Sequence, residues 1–294
     1  MFQGSMVAIV TPMQPNGKVD DEALSRLIEF HIAEGTEGIV SVGTTGESAT
    51  LSVEEHGWVI QRTINLVEGR VPVIAGTGAN ATAEAIVLAK KAKDAGADAT
   101  LSVVPYYNKP NQAGMMAHFT AIADAVDVPM FLYNVPGRTV VDMLPETTAQ
   151  LSQHQNIVGI KDAAGGSART KALLEQCVDG FSILSGEDET CCESLLAGGH
   201  GFISVTANVA PKLMRAMCDA ARAGKAEEAR AINAQLQKLH DAMFCEPSPC
   251  AAKWALGQMG LIDPAIRLPI LPLTESSYEQ VSEAMAAADI GVTA

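Results

Sequence analysis

The chain has 294 residues, 48% of them hydrophobic and only 4% aromatic, with 20 Lys and Arg against 34 Asp and Glu. A charged fraction of 18% beside so many aliphatic residues excludes a disordered chain, and the length allows one large domain or two modest ones. The net charge of −14 argues against nucleic acid, whose affinity comes from Lys and Arg neutralising phosphates, yet leaves room for a small anion held by one or two local cations.

In chain order, continuous apolar runs predict strands at Met6–Thr11, Gly38–Gly43, Val71–Gly76, Ala99–Tyr107, Met130–Val135, Ile157–Lys161, Ser182–Gly186 and Gly201–Thr206. Between them, apolar residues at i, i+3 and i+4 predict helices such as Asp21–Glu34, Val53–Leu66, Ala83–Ala95 and Thr170–Cys177. The strands do not alternate in polarity, as expected where helices cover a parallel sheet. Strand starts fall roughly 20–33 residues apart, the size of successive βα units. Eight such units predict a (β/α)8 barrel over residues 1–224. After Ala207 the strand signals stop. Helices are predicted at Pro211–Gly224, Lys225–Phe244, Cys250–Met259 and Tyr278–Ala287, giving a helical segment over residues 225–294 with Pro-rich breaks at EPSP and RLPILPLT.

An open dinucleotide-binding sheet is the rival architecture. GTGANA (Gly76, Gly78, Ala81) is a partial GxGxxG/A fingerprint, with Asp94 or Asp98 near the acidic position, and would make the chain an NAD-dependent oxidoreductase. Against it, the motif follows the third strand and not the first.

The N-terminus MFQGSMVAIVTP lacks a basic leader, and no run of 18 apolar residues occurs, so neither a secretory signal nor a membrane span is expected. Six cysteines lie in the second half, with Cys191 and Cys192 adjacent and no CxxC or HxxxH spacing. The expectation is reduced thiols in a cytoplasmic protein, and no metal. The acidic groups Asp20, Asp21, Glu187, Asp188 and Glu189 lack ligand spacing and are expected to face solvent or cap helices. His200, before the last strand, is expected in a turn.

In barrel enzymes chemistry sits at the C-terminal ends of the strands. Three of the four tyrosines (Tyr106, Tyr107, Tyr133) fall there, which is notable in an aromatic-poor chain. Lys161 closes NIVGIK, where alternation points Ile157, Gly159 and Lys161 to one side and Val158 and Ile160 to the other. Holding an unperturbed lysine neutral at pH 7 costs about 4.6 kcal/mol. Desolvation in an apolar mouth, or a cationic neighbour, removes much of that cost and leaves an amine able to form an imine with a carbonyl. The alternative is a lysine whose ammonium reaches water past the strand end. Tyr133 ends the adjacent strand, where a phenol can pass protons, or where its hydroxyl is simply wet. Thr44 and Thr45 stand between Gly43 and Gly46, in a loop whose N–H groups can approach a carboxylate, or in an ordinary turn. Arg138 follows a Pro-Gly turn and can hold a carboxylate bidentately, or be a solvated loop residue.

GTTGES, YNVPGRT, the strand-ending lysine of GIKDA and GFISVTAN, flanked by GSMVAIVTP, KWALGQMGLI and RLPILPL, resemble the pyruvate-dependent Schiff-base aldolase/lyase family over nearly the whole chain. The resemblance implies a lyase in which Lys161 forms an imine with pyruvate and Tyr133 passes protons. Thr44 and Tyr107 complete a hydroxyl relay, Tyr107 coming from a neighbouring subunit of a homotetramer. Thr45, Ile203 and Gly186 are implied at bound pyruvate, and Arg138 at the carboxylate of L-aspartate 4-semialdehyde. No metal or organic cofactor is implied, since the imine is the electron sink. Relatives in the family, N-acetylneuraminate lyase and keto-deoxy sugar acid aldolases, keep the lysine and tyrosine, but Arg138 suits a short carboxylated aldehyde better than a polyhydroxylated chain. The resemblance further implies feedback by L-lysine at Ser48, Ala49, His56, Asn80, Glu84 and Tyr106. Val53, CEPSPCAAKW and KDAAGG depart from the usual family pattern without removing a residue assigned a role.

Overall fold

The computed structural model describes residues 2–291; Met1 and residues 292–294, the outer ends of the two expected segments, lie outside the described residues. Eight parallel strands close into a barrel in sequence order: β1 (Gly4–Ala8), β2 (Gly38–Ser41), β3 (Val73–Gly76), β4 (Ala99–Val103), β5 (Met130–Asn134), β6 (Ile157–Asp162), β7 (Ser182–Ser185) and β8 (Gly201–Ser204), with β8 pairing back onto β1. Closure in sequence order removes the open-sheet alternative. At GTGANA the glycines serve packing: a Cβ on Gly76 would lie 2.3 Å from the Val42 carbonyl oxygen, and one on Gly78 2.4 Å from the Val103 nitrogen.

The helices that cover the strands are α1 (Asp21–Ala33), α2 (Val53–Val67), α3 (Thr82–Ala95), α4 (Gln112–Ala125), α5 (Pro136–Thr139), α6 (Pro145–Leu151), α7 (Gly166–Gln176) and α8 (Cys191–Leu196). Their starts follow from local chemistry. The Asp20 carboxylate accepts from the Ala23 N–H at 3.0 Å, and Ser52 and Glu55 form a reciprocal capping box on α2. Beyond β8 come α9 (Pro211–Arg222), α10 (Ala226–Ala242), α11 (Cys250–Gln258) and α12 (Glu275–Ala287). Leu236, Leu239, Ala251, Ala255 and Val281 of this segment share one apolar core with Val7, Leu24 and Leu27 of the barrel and α1. Among the described residues no helix is long and apolar enough to cross a membrane.

Two predicted strand details are corrected. The fourth strand ends at Val103 and not at Tyr107, because Pro105 has no N–H to give to a neighbour; Tyr106 and Tyr107 therefore stand in the following loop. In β6 the register shifts between Met130 and Phe131 of β5, so that Ile157 pairs with Met130 while Gly159 pairs with Phe131. The bulge turns Ile157 to the outer core beside Ile160, and Val158 to the barrel interior. Gly159 and Lys161 do face inward, as alternation predicts. A Cβ on Gly159 would sit 2.4 Å from the Phe131 ring and 2.6 Å from the Ser182 carbonyl oxygen, so glycine is what lets that ring fill the barrel.

All six cysteines are free thiols, and burial pushes Cys218 up to about 12 and Cys191 well above its ordinary value. Two buried histidines make the fold acid-sensitive. Burial pulls His31 down to about 3; burial, with the Lys91 charge, pulls His56 down to about 4. Both stay neutral in the folded chain while the unfolded chain protonates them below about pH 6.5. Their contribution is therefore complete above pH 6.5 and lost as pH falls toward 4 and 3. The melting temperature is expected to drop by about 5–10 °C between pH 7.5 and pH 5 in thermal scans. An unchanged value contradicts this assignment.

Candidate active site

The barrel mouth is built from the ends of β2, β5, β6, β7 and β8 and the loops that follow them. In the β5–β6 register Tyr133 lies directly opposite Lys161, and the Lys161 ammonium nitrogen stands 4.4 Å from the centroid of the Tyr133 ring. Lys161 is 6% exposed and Tyr133 7%, in a setting shared with Phe131, Leu184 and Ile203. The amine is thus largely shielded from solvent, with an aromatic face as its neighbour. Gly186, just past β7, completes the wall. Its hypothetical Cβ would fall 3.0 Å from Lys161 Cε and 3.1 Å from Cγ, so the missing side chain is what gives the lysine stem its room. Ile203 is buried on β8 in the same inner cluster.

A cavity of about 500 Å³ opens beside Tyr133, lined also by Thr44 and Arg138. Thr44 is exposed to it, whereas Thr45 turns inward and is buried. The loop that carries them is sharply bent: Val42 and Glu47 both have left-handed backbone (φ 48° and 58°), and the Glu47 N–H donates to the Thr44 carbonyl at 3.1 Å. Arg138 sits in α5, one helical turn where the sequence suggested only a Pro-Gly turn, and its N–H donates to the Val135 carbonyl at 2.9 Å. Its side chain is exposed at the cavity, and among the described residues no carboxylate pairs with it. Tyr107 is not brought to this site within the chain. It is 90% exposed and held with a φ of 73°, a conformation that a bulky side chain rarely adopts.

Ser48, Ala49, His56, Glu84 and Tyr106 line the outer part of the same cavity. Asn80 stands behind them, its side-chain amide donating to the Tyr106 carbonyl at 3.2 Å. The ring of the buried His56 has no side-chain hydrogen-bond partner among the described residues and lies against the Gly76 backbone.

Several supporting residues were not anticipated. Asp188 neither faces solvent nor caps a helix. It is buried, and one carboxylate oxygen accepts from the backbone N–H groups of Val205 at 3.0 Å and Thr206 at 2.8 Å, tying the loop after β7 to the end of β8. Next to Lys161, Asp162 accepts from Arg169 Nε at 2.9 Å, and Arg169 also reaches Asp142. Burial, only partly offset by Arg169, pushes the Asp162 carboxyl up to about 6. Asn134 donates to Asp142 at 2.7 Å and accepts from the Met143 N–H at 3.0 Å, bracing the chain beyond α5. His200 does take a turn role: its Nδ1 accepts from the Ile183 N–H at 3.0 Å.

Comparison with known proteins agrees with this geometry. The chain is 57% identical over 290 residues to the 4-hydroxy-tetrahydrodipicolinate synthase of Saccharophagus degradans, covering 99% of this chain and 100% of that protein. The chloride-inhibited dihydrodipicolinate synthase of Acinetobacter baumannii, solved with pyruvate, superposes with a TM-score of 0.97 at 52% identity over 99% of this chain and 100% of that one. The dihydrodipicolinate synthase of Cyanidioschyzon merolae, solved with lysine bound, superposes with a TM-score of 0.94 at 38% identity, over 98% of each chain. With the sequence pattern of the Dihydrodipicolinate synthetase family matching residues 1–288, the chain belongs to that family.

Proposed function

We propose that this chain is a lyase that condenses pyruvate, held as an imine on Lys161, with L-aspartate 4-semialdehyde to give 4-hydroxy-tetrahydrodipicolinate, the first committed step toward diaminopimelate and lysine. The observation that carries the reading is a buried lysine at a strand end, set opposite a tyrosine in a cavity that also presents one unpaired arginine. Lys161 attacks the pyruvate ketone and water leaves, with Tyr133 passing the protons. The imine draws off electron density as a C3 proton departs, and no metal or organic cofactor is needed for that step. The resulting enamine carbon attacks the aldehyde; the substrate's own amine then displaces Lys161 and closes the ring. Thr45, Ile203 and Gly186 surround pyruvate in this reading, and Thr44 extends the proton path from Tyr133. Tyr107, exposed and conformationally fixed, is contributed to the site of a second copy in a homotetramer, and the reaction takes place in the cytoplasm. Arg138 takes the semialdehyde carboxylate.

The test is turnover. Purified chain should consume pyruvate and aspartate semialdehyde together, and should not cleave N-acetylneuraminate or keto-deoxy sugar acids. Cleavage of those sugars without semialdehyde turnover would favour the aldolase relatives.

We also infer that L-lysine binds the outer cavity, where the Glu84 carboxylate suits its ammonium and His56 and Ser48 offer further polar contacts. A relative solved with lysine bound supports this. Lysine at millimolar concentration is expected to slow turnover partially in steady-state assays, and an unchanged rate would sink the inference.

A further inference from the structure

Residues of the C-terminal helical segment reach the loop that carries Thr44 and Thr45. Lys253 lies on α11 among Ala251, Ala252, Ala255 and Leu256, and both it and the Glu47 carboxylate are almost wholly out of solvent. The two side chains form an ion pair. Lys253 Nζ also donates to the Ala265 carbonyl at 2.8 Å, and the Arg267 N–H donates to Glu47 Oε2 at 3.0 Å. Arg267 then donates to the carbonyl oxygens of Gly17 and Thr50, both at 2.8 Å, and pairs with Glu55 at the start of α2. Opposite this clamp, Thr11 Oγ donates to the Gly46 carbonyl at 2.7 Å.

A buried ion pair is a poor means of stabilisation, because desolvation offsets most of the attraction, and an apolar pair of similar volume often does as well. What a pair of this kind does supply is a fixed position for the backbone it joins. Left-handed backbone at two non-glycine residues persists only where the surroundings over-determine it, and Val42 and Glu47 bracket the two threonines in that conformation. Glu47 is itself one end of the bracket. Its side chain is therefore the point at which α11 acts on the loop.

We propose that Lys253 and Glu47 are positioning residues, through which the C-terminal helical segment holds Thr44 and Thr45 in place for pyruvate. This rests on the function proposed above. Neither residue lies among the groups assigned to the substrates; Glu47 lines the cavity next to Thr44, whereas Lys253 does not line it. Arg138 is carried by α5, outside the clamp.

The full-length variants Lys253→Met, Glu47→Gln and the double variant test this, each measured for melting temperature, for KM of both substrates and for the rate of borohydride trapping of pyruvate. The expected result is a pyruvate KM raised about tenfold or more and correspondingly slower trapping, with KM for the semialdehyde within about twofold of the parent. A purely structural pair would lower the melting temperature and leave the pyruvate KM where it was, which overturns the proposal. Should Lys253→Met fail to fold because it strands a buried carboxylate, the double variant, with no unpaired buried charge, carries the same expectation. The parent chain is the separate check on the function: if it traps no pyruvate, that reading fails and the positioning role falls with it.

Discussion

Lys161→Ala is expected to lower kcat by about 1,000-fold or more, because it removes the group that forms the covalent bond and leaves only the binding contacts of the cavity. The loss should not come from unfolding. Lys161 is buried at the barrel mouth with an aromatic ring as its neighbour and no ion pair among the described residues, so replacing it with an apolar residue of similar length breaks no salt bridge. The melting temperature of Lys161→Met is accordingly expected to equal or exceed that of the parent, the usual exchange between activity and stability at a catalytic position. A variant that kept more than a few per cent of the parent kcat would place the nucleophile elsewhere. Circular dichroism and thermal scans on the same preparation separate the two causes of lost activity.

Arg138→Ala should raise KM for aspartate semialdehyde by about 10–100-fold, the worth of about 1.5–3 kcal/mol from hydrogen bonds to a charged group. KM for pyruvate should stay within about twofold, since Lys161 and Ile203 stand on β6 and β8 and Gly186 just past β7. Arg138→Lys should fall between parent and alanine, because an ammonium keeps the charge but not the planar fork. Steady-state kinetics with each substrate varied in turn decides the matter. Equal changes in both KM values would mean that the substitution has disturbed α5, and intact semialdehyde kinetics would remove the assignment.

Much of this site is legible in the chain because a parallel barrel writes its strands as continuous apolar runs, and each run ends where chemistry can begin. Lys161 and Tyr133 are visible as polar residues closing two successive runs, and the register sets them opposite each other. The bulge in β6 leaves no such mark. Ile157 and Val158 are both apolar, so a slip of one residue exchanges two side chains that either face accepts. The early end of β4 is marked only by Pro105 inside an otherwise apolar run. Asp188 reads as one of three successive acidic residues, and only the folded chain shows that it alone is buried against the Val205 and Thr206 amides. Glu47 and Lys253 are hidden by distance along the chain. Their one signal is chemical: a lysine inside CAAKWAL, on a helix with no other charge, requires a partner once that helix is buried.

The chain's net acidity argues against nucleic acid, yet the cavity itself mixes charges, with Glu47 and Glu84 beside Arg138 and Arg267, and Lys161 is buried at the strand end next to Tyr133. The most direct measurement of the central claim is therefore on the lysine itself. The chain is incubated with pyruvate, reduced with borohydride, digested and examined by mass spectrometry. The account predicts a stable reduced pyruvyl group on Lys161, absent without pyruvate and absent from Lys161→Ala. No adduct, or an adduct confined to another lysine, would contradict it.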